Sequence, residues 1–205
     1  SENHYLMTTT TGVAANVLSK LEDYLQTEWP ELDVYLTSVT DHYATASVCG
    51  PNSKKILIKL FPNIKFDDEN FPHMSFQNAL LDNISCRIMR ISFTGEHSYE
   101  INIEAKYGKS LWEKCIEAGK EFNITPYGTE TMHLLRAEKG FIIVGQDTDG
   151  TMTPIDLQMD WIVSKKKYDF IGKRSLYRSD TIREDRKQLV GLLTDDPNEI
   201  LEEGA

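Results

Sequence analysis

No stretch of this 205-residue chain is apolar for long enough to cross a bilayer as a helix, and no basic-then-apolar leader is present, so neither a membrane nor a secretory role is expected. Cysteine is scarce. Cys49, Cys86 and Cys115 are odd in number, far apart and without a CxxC pair, which excludes a disulfide framework and fits buried thiols in a reducing, cytoplasmic setting. Five histidines (His4, His42, His73, His97, His133) make no HxH and no i, i+4 pair, so no metal site is expected. P-loop, GxGxxG, nucleophile-elbow and HExxH motifs are all missing. Basic charge is also short, 22 Lys and Arg against 32 Asp and Glu, and the net charge of −10 argues against a nucleic-acid partner.

What is present suits a globular protein. Hydrophobic content of 40% and charged content of 26% are ordinary, and the length allows one large domain or two small ones with a real core. Charge is uneven: Lys165 to Lys187 holds nine Lys or Arg against four Asp or Glu. That stretch reads either as a solvated basic surface or as a dock for something anionic.

In chain order, Tyr5 to Thr9 reads as a strand, and the chain opens inside it without Met, as a piece of something longer would. Val13, Val17, Leu21 and Tyr24 recur at helical spacing until Trp29-Pro30. Val34 to Val39 and Tyr43 to Cys49 read as strands around a turn at Thr40-Asp41-His42. Gly50-Pro51-Asn52-Ser53 then opens a helix burying Ile56, Leu57 and Leu60. Residues Phe61 to Phe76, with Pro62, Pro72 and the acids Asp67-Asp68-Glu69, read as irregular and exposed. Ser110 and Glu113 form a capping box for a helix burying Leu111, Trp112, Cys115 and Ile116, ended by Gly119. Thr129 caps another helix that Gly140 stops. A last strand is expected at Trp161 to Ser164, then a basic helix after Gly172.

Between these lies RISFTGEHSYEINI, Arg90 to Ile103. Cys86 and Ile88 precede it on one strand face, Thr94-Gly95-Glu96 makes a turn, and Tyr99, Ile101 and Ile103 alternate with Glu100, Asn102 and Glu104. Two period-two runs around a turn predict a hairpin. Glu100 falls opposite the isoleucines, either as a solvated strand residue or as a hook for a ligand. There is also an internal echo. "YATASVCGPNSKKIL" and "YEINIEAKYGKSLWEKC" both read as strand, glycine turn and amphipathic helix, which points to an α+β fold with a ferredoxin-like split βαβ core.

Six segments in order, "YLMTTTTG", "VCGPNSKKIL", "SFTGEHSYEINI", "LLRAEKGFIIVGQD", "TPIDLQMDWIV" and "DFIGKRSL", resemble the folate-binding aminomethyltransferase family. That family comprises the glycine-cleavage T-protein and its relatives fused to sarcosine and dimethylglycine dehydrogenases. The wording of "EWP" and "YLTSVTDHYATASVCGP" is nearest to its sarcosine-oxidising branch.

The resemblance implies a folate-binding aminomethyltransferase fold truncated at both ends, with the folate domain over 1–195 and the start of a C-terminal barrel over 196–205, near Glu203-Gly204. It implies that Glu100 holds the pterin ring of tetrahydrofolate, a carboxylate being able to accept two parallel N–H bonds. Phe93 stands where the family often has Tyr, keeping an apolar wall without a hydroxyl. Arg136, followed by Glu138, matches the family's R-x-E helix end and would orient the hairpin, contact an acidic ligand tail, or form a structural ion pair. Tyr99 and Trp161 would wall the pocket or pack the core. No catalytic residue is assigned, since the family's key aspartate is expected upstream of Ser1.

The implied activity is that of a sarcosine oxidase parent, an oxidoreductase. This domain would present tetrahydrofolate to the one-carbon unit released from sarcosine, giving 5,10-methylenetetrahydrofolate and glycine. Flavin and NAD would sit elsewhere in the complex, whose other subunits are the expected partners, and the fragment alone would be inactive. Two other readings stay open. One is a stand-alone folate-dependent aminomethyltransferase or demethylase; the other is a non-catalytic scaffold module with Lys165 to Lys187 at a subunit interface.

Overall fold

The computed structural model describes residues 2–202 and falls into two compact units, Ser1–Met132 and His133–Ala205. The first opens with α1 (Ala14–Thr27). Its end is set where the N–H groups of Glu28 and Trp29 both donate to the Tyr24 carbonyl at 2.9 Å, the Trp29 ring stacks on Tyr24, and Pro30 follows.

The sheet begins at β1 (Tyr43–Cys49). Gly50 takes φ +104°, a turn that glycine permits, and leads to α2 (Ser53–Leu60). β2 (Phe76–Leu81) and β3 (Ile84–Met89) form a tight hairpin whose two turn residues, Asp82 and Asn83, both have positive φ, the twist that matches paired strands. β4 (Ser98–Glu104) and α3 (Gly108–Gly119) complete the unit.

The strand order is β1-β4-β3-β2 with every ladder antiparallel. β1 and β3 therefore run the same way with β4 between them, in the four-stranded antiparallel sheet of an α+β fold. The echo is physical: β1–α2 and β4–α3 are two strand–helix units whose strands pair, Ser47 opposite Glu100. One sheet face is apolar. Ala46, Val48, Cys86, Ile88, Tyr99, Ile101 and Ile103 pack there against Ile56 and Leu57 of α2 and Leu111 and Cys115 of α3. The close approach is visible at Gly108, where an added Cβ would lie 2.6 Å from the Ala44 Cβ.

Several expectations are corrected. Residues 5–9 and 34–39 are not strands; both are largely exposed and have no ladder partner among the described residues. β2 was hidden because its pattern starts in a segment read as irregular and exposed. That segment is irregular, but Phe61, Phe66 and Phe71 are buried, with Phe66 and Phe71 packed around the Tyr99 ring. α3 starts at Gly108 with no side-chain capping bond, so the Ser110–Glu113 box does not form, and Trp112 is half exposed. Its run continues past Gly119 through a 3-10 turn to Asn123 at φ +56°, the left-handed residue that ends it.

α4 (Thr129–Glu138) contains the boundary between the units. It stops as expected at Gly140 (φ +72°), with the Phe141 N–H donating to the Arg136 carbonyl at 2.9 Å. The second unit is mostly turns and extended chain. Asp160–Ile162 is a 3-10 turn where a strand from Trp161 to Ser164 was expected, and the basic helix reduces to a 3-10 turn, Lys173–Tyr177. Its anchor is Asp156, which is buried and accepts from the Arg186 guanidinium through both oxygens at 2.8 and 2.6 Å and from the Thr153 N–H at 2.8 Å. The expected barrel start at Glu203-Gly204 lies outside the described residues.

Candidate functional site

Alternation along the strands leaves a second sheet face, away from α2 and α3, made of polar side chains. β1 supplies Thr45, Ser47 and Cys49; β4 supplies Ser98, Glu100 and Asn102; β3 supplies Arg87 and Met89. Most of these are satisfied locally. Asn102 donates to the Thr45 hydroxyl at 2.8 Å, and the hydroxyls of Ser47 and Ser98 lie 3.5 Å apart. The Cys49 thiol donates to the Tyr127 hydroxyl at 3.1 Å, bringing a ring from the segment after α3 onto this face.

Glu100 is the exception. It sits at the middle of β4 between Ser47 and Met89, half-buried, and no hydrogen bond or ion pair reaches its carboxylate among the described residues. Burial alone pushes its carboxyl above the usual range. Tyr127 responds to the same surroundings: its phenol is pushed up to about 12, first by burial, then by Cys49, with the Glu100 charge adding to the effect. A partly desolvated carboxylate with open lone pairs, beside a phenol that keeps its proton, can receive paired N–H donors. Arg87 is a second unpaired group: its guanidinium carbon stands 5.9 Å from the Tyr43 ring centre and 5.8 Å from that of Phe76, and its buried Nη1 has no hydrogen-bond partner.

The hairpin that carries Glu100 is pinned at both ends of its loop. Arg90 donates through Nη1 to Asp68 at 2.6 Å and to the Phe71 carbonyl at 2.7 Å, and its guanidinium holds the Asp68 carboxyl below the usual range. At the other end the His97 carbonyl accepts from the Gly50 N–H and the Ser53 hydroxyl, both at 2.9 Å, so both strand–helix units meet there.

The other anticipated site residues divide by place. Phe93 lies in the 90–97 loop, 46% exposed. Tyr99 is fully buried on the opposite face from Glu100, its hydroxyl 2.9 Å from His97 Nε2, so it packs the core. Arg136 and Trp161 belong to the second unit. Arg136 is buried, donates to the Phe141 carbonyl at 3.0 Å and is ion-paired with Asp147, whose carboxylate also takes the Ile143 N–H at 2.7 Å. This is the structural ion pair among its three expected roles, and it folds the 141–147 loop. Trp161 is 74% exposed. The sequence reading missed Ser47, Cys49 and Arg87, although their alternation with Ala46, Val48 and Ile88 was the available signal. It also missed Tyr127, whose position between Pro126 and Gly128 gives no periodic cue. Among the described residues no cluster of three or more His, Cys, Asp or Glu could hold a metal, and no helix is long and apolar enough to cross a membrane.

The family model described as the GCVT N-terminal domain matches residues 1–167. The chain belongs to this family. Among curated relatives, the GCVT-domain chain is 58% identical over its full length to "Sarcosine oxidase subunit alpha" of Corynebacterium sp. (strain U-96), and 40% identical to the protein of the same name from Rhizobium meliloti (strain 1021). It spans 21% of the length of each. It is 34% identical to "Aminomethyltransferase" of Halothermothrix orenii over 68% of this chain and 38% of that protein. In fold it resembles the glycine cleavage system aminomethyltransferase T from Bartonella henselae, with a TM-score of 0.58 at 21% identity over 76% of this chain and 39% of that one.

Proposed function

We propose that this GCVT-domain chain is the tetrahydrofolate-handling part of a sarcosine oxidase α-type subunit. The observation that carries the reading is Glu100, an unpaired, half-buried carboxylate at the centre of the polar sheet face. The donor set fits the group: a pterin offers a ring N–H beside an exocyclic amine, and a carboxylate with open lone pairs can accept both in parallel, the strong form of charge-assisted bond. Tetrahydrofolate supplies two nitrogens that take up the methylene carbon of oxidised sarcosine and release its amine as glycine.

This chain's share is positioning. Glu100 would hold the ring through the two oxygens of its carboxylate. The hairpin pins at Arg90 and His97 hold Glu100 in place, and a fixed ring lowers the entropic cost of bringing its nitrogen to the one-carbon unit. Phe93 is assigned as a ring wall, and Arg136, in the second unit, as the anchor of its own loop. Flavin, NAD and the partner subunits belong to the rest of the complex, in the cytoplasm. The naming of α-subunit relatives supports the oxidase over a stand-alone aminomethyltransferase. Calorimetry with tetrahydrofolate tests the hook: Glu100→Gln, which keeps the shape and removes the charge, should weaken binding by about tenfold or more. Equal affinity of the two proteins would end the proposal.

A further inference from the structure

Glu100 can take two N–H donors from a ligand edge, and the atom next along that edge must meet something on the same sheet face. The register shows what stands there. Ser47 is directly across from Glu100 on β1, and Cys49, two residues further on the same face, is its diagonal neighbour, within about 7–8 Å between backbones. The Tyr127 hydroxyl sits 3.1 Å from the Cys49 sulfur and so stands beside Glu100. With the thiol donating to the phenol oxygen, the phenol's own proton is left for an acceptor. Glu100 does not take it, since no hydrogen bond joins the two. The Glu100 charge and burial both keep that proton on the oxygen.

We propose that Tyr127, oriented by Cys49, is the specificity-determining partner of Glu100: the carboxylate accepts two adjacent N–H groups and the phenol donates to the carbonyl beside them. The edge this pair reads is donor, donor, acceptor. A 2-amino-4-oxo heterocycle has that order. Its 4-amino counterpart presents an amine where the carbonyl should be and has lost the ring N–H beside it, so the phenol proton faces another donor and Glu100 loses one of its two donors. The inference rests on the reading of Glu100 as the pterin hook and adds the group that separates oxo from amino ligands. The ring comes from a segment with no strand periodicity, and it is held onto that face by β1, through the Cys49 thiol at 3.1 Å and a hydrogen bond from the Ser47 side chain.

The test is a ratio of affinities, which a purely structural tyrosine would leave alone. The full chain is titrated by calorimetry with tetrahydrofolate and with its 4-amino analogue, for wild type, Tyr127→Phe, Cys49→Ala, Cys49→Ser and Glu100→Gln. Wild type should prefer the 4-oxo compound by about tenfold or more, and Tyr127→Phe, which keeps the ring and loses the hydroxyl, should cut that ratio by about fivefold, leaving the share that the missing ring N–H sets at Glu100. Cys49→Ser should keep the preference and Cys49→Ala reduce it by about threefold, since only the serine can still hold the phenol. If Tyr127→Phe does not fold, the two Cys49 variants decide: equal ratios in them overturn the proposal. A wild type that does not discriminate, or a Tyr127→Phe protein whose ratio equals that of the wild type, also overturns it while Glu100→Gln loses affinity and the hook survives. Unchanged folate binding in Glu100→Gln removes the hook, and this inference with it.

Discussion

Replacing Glu100 by Gln should stabilise the fold at neutral pH while it weakens the proposed ligand. The carboxylate is half-buried, its folded-state carboxyl titrates above the ordinary value of 4.5, and burial is the cause. A group whose folded form holds its proton more tightly than the unfolded chain does makes stability fall as pH rises through that interval. Below 4.5 both states are protonated and the residue costs nothing; above the folded-state value the full desolvation penalty is felt. An unsatisfied buried polar group costs about 1–3 kcal/mol, and because one edge of Glu100 meets water the lower end applies, about 1 kcal/mol. Glutamine escapes the charge penalty at all pH. Thermal unfolding of the two full chains should therefore show the variant melting about 2–4 °C higher at pH 7, with the difference vanishing near pH 4. Added salt should change little, because no ion pair is involved. A variant that melts lower at pH 7, or a gap that is the same at pH 4 and 7, would refute the claim that an unpaired carboxylate sits in this face.

Asp156→Asn should loosen the second unit: the buried Asp156 holds Arg186 through both oxygens, and its carboxyl lies far below the usual range chiefly because of that guanidinium. Removing one partner of such a pair costs about 2–3 kcal/mol, read as faster proteolysis within 133–205. In the unchanged protein this pair's contribution is complete above pH 3.8 and fades only as pH falls below it toward the depressed folded-state value. Burial pushes the thiols of Cys86 and Cys115 up to about 11, so a thiolate-selective reagent at pH 8 should leave both unlabelled until denaturant is added. Labelling of either in the native protein would show that the core formed by β3 and α3 opens.

From 43 to 60, and again along β3 and β4, the sequence was readable because local and tertiary signals agree. Tyr43–Cys49 alternates, Gly50 turns, and Ile56 and Leu57 repeat at helical spacing, and each of these meets a partner in space. The failures have a common cause. Residues 5–9 and 34–39 carry β-prone side chains, yet a strand exists only with a neighbour to bond, and alternation cannot say whether that neighbour is there. β2 went unseen for the opposite reason: Phe76 opens a strand because β3 lies beside it, while Phe66 and Phe71, in chain without regular structure, are drawn inward by the Tyr99 ring. At the site, the hairpin placed Glu100 opposite the isoleucines but left it open between a solvated residue and a ligand hook, and only the family resemblance favoured the hook. Arg136 was legible as important but not in its role, because Asp147 is reached only once the chain has turned at Gly140. Tyr127 was invisible, since its partner Cys49 lies 78 residues away in sequence.

The two faces of this sheet obey different rules, and the difference bears on function. The helix face is filled to exclusion: Leu57, Ile88, Tyr99, Ile101 and Ile103 are wholly buried. On the other face several polar groups have found a neighbour, Asn102 with Thr45 and Cys49 with Tyr127, while a carboxylate and a guanidinium, Glu100 and Arg87, have no hydrogen bond or ion pair among the described residues. A surface shaped only for stability would have paired these opposite charges, since β4 and β3 are adjacent and Arg87 lies diagonally across from Glu100. Instead Arg87 is drawn between the Tyr43 and Phe76 rings, away from the carboxylate, and the burial shift at Glu100 shows no contribution from it. Holding the cation aside keeps the carboxylate's lone pairs open for a neutral N–H pair, which a salt bridge would have occupied. The stability given up at Glu100 is thus the condition for its having something to offer a ligand.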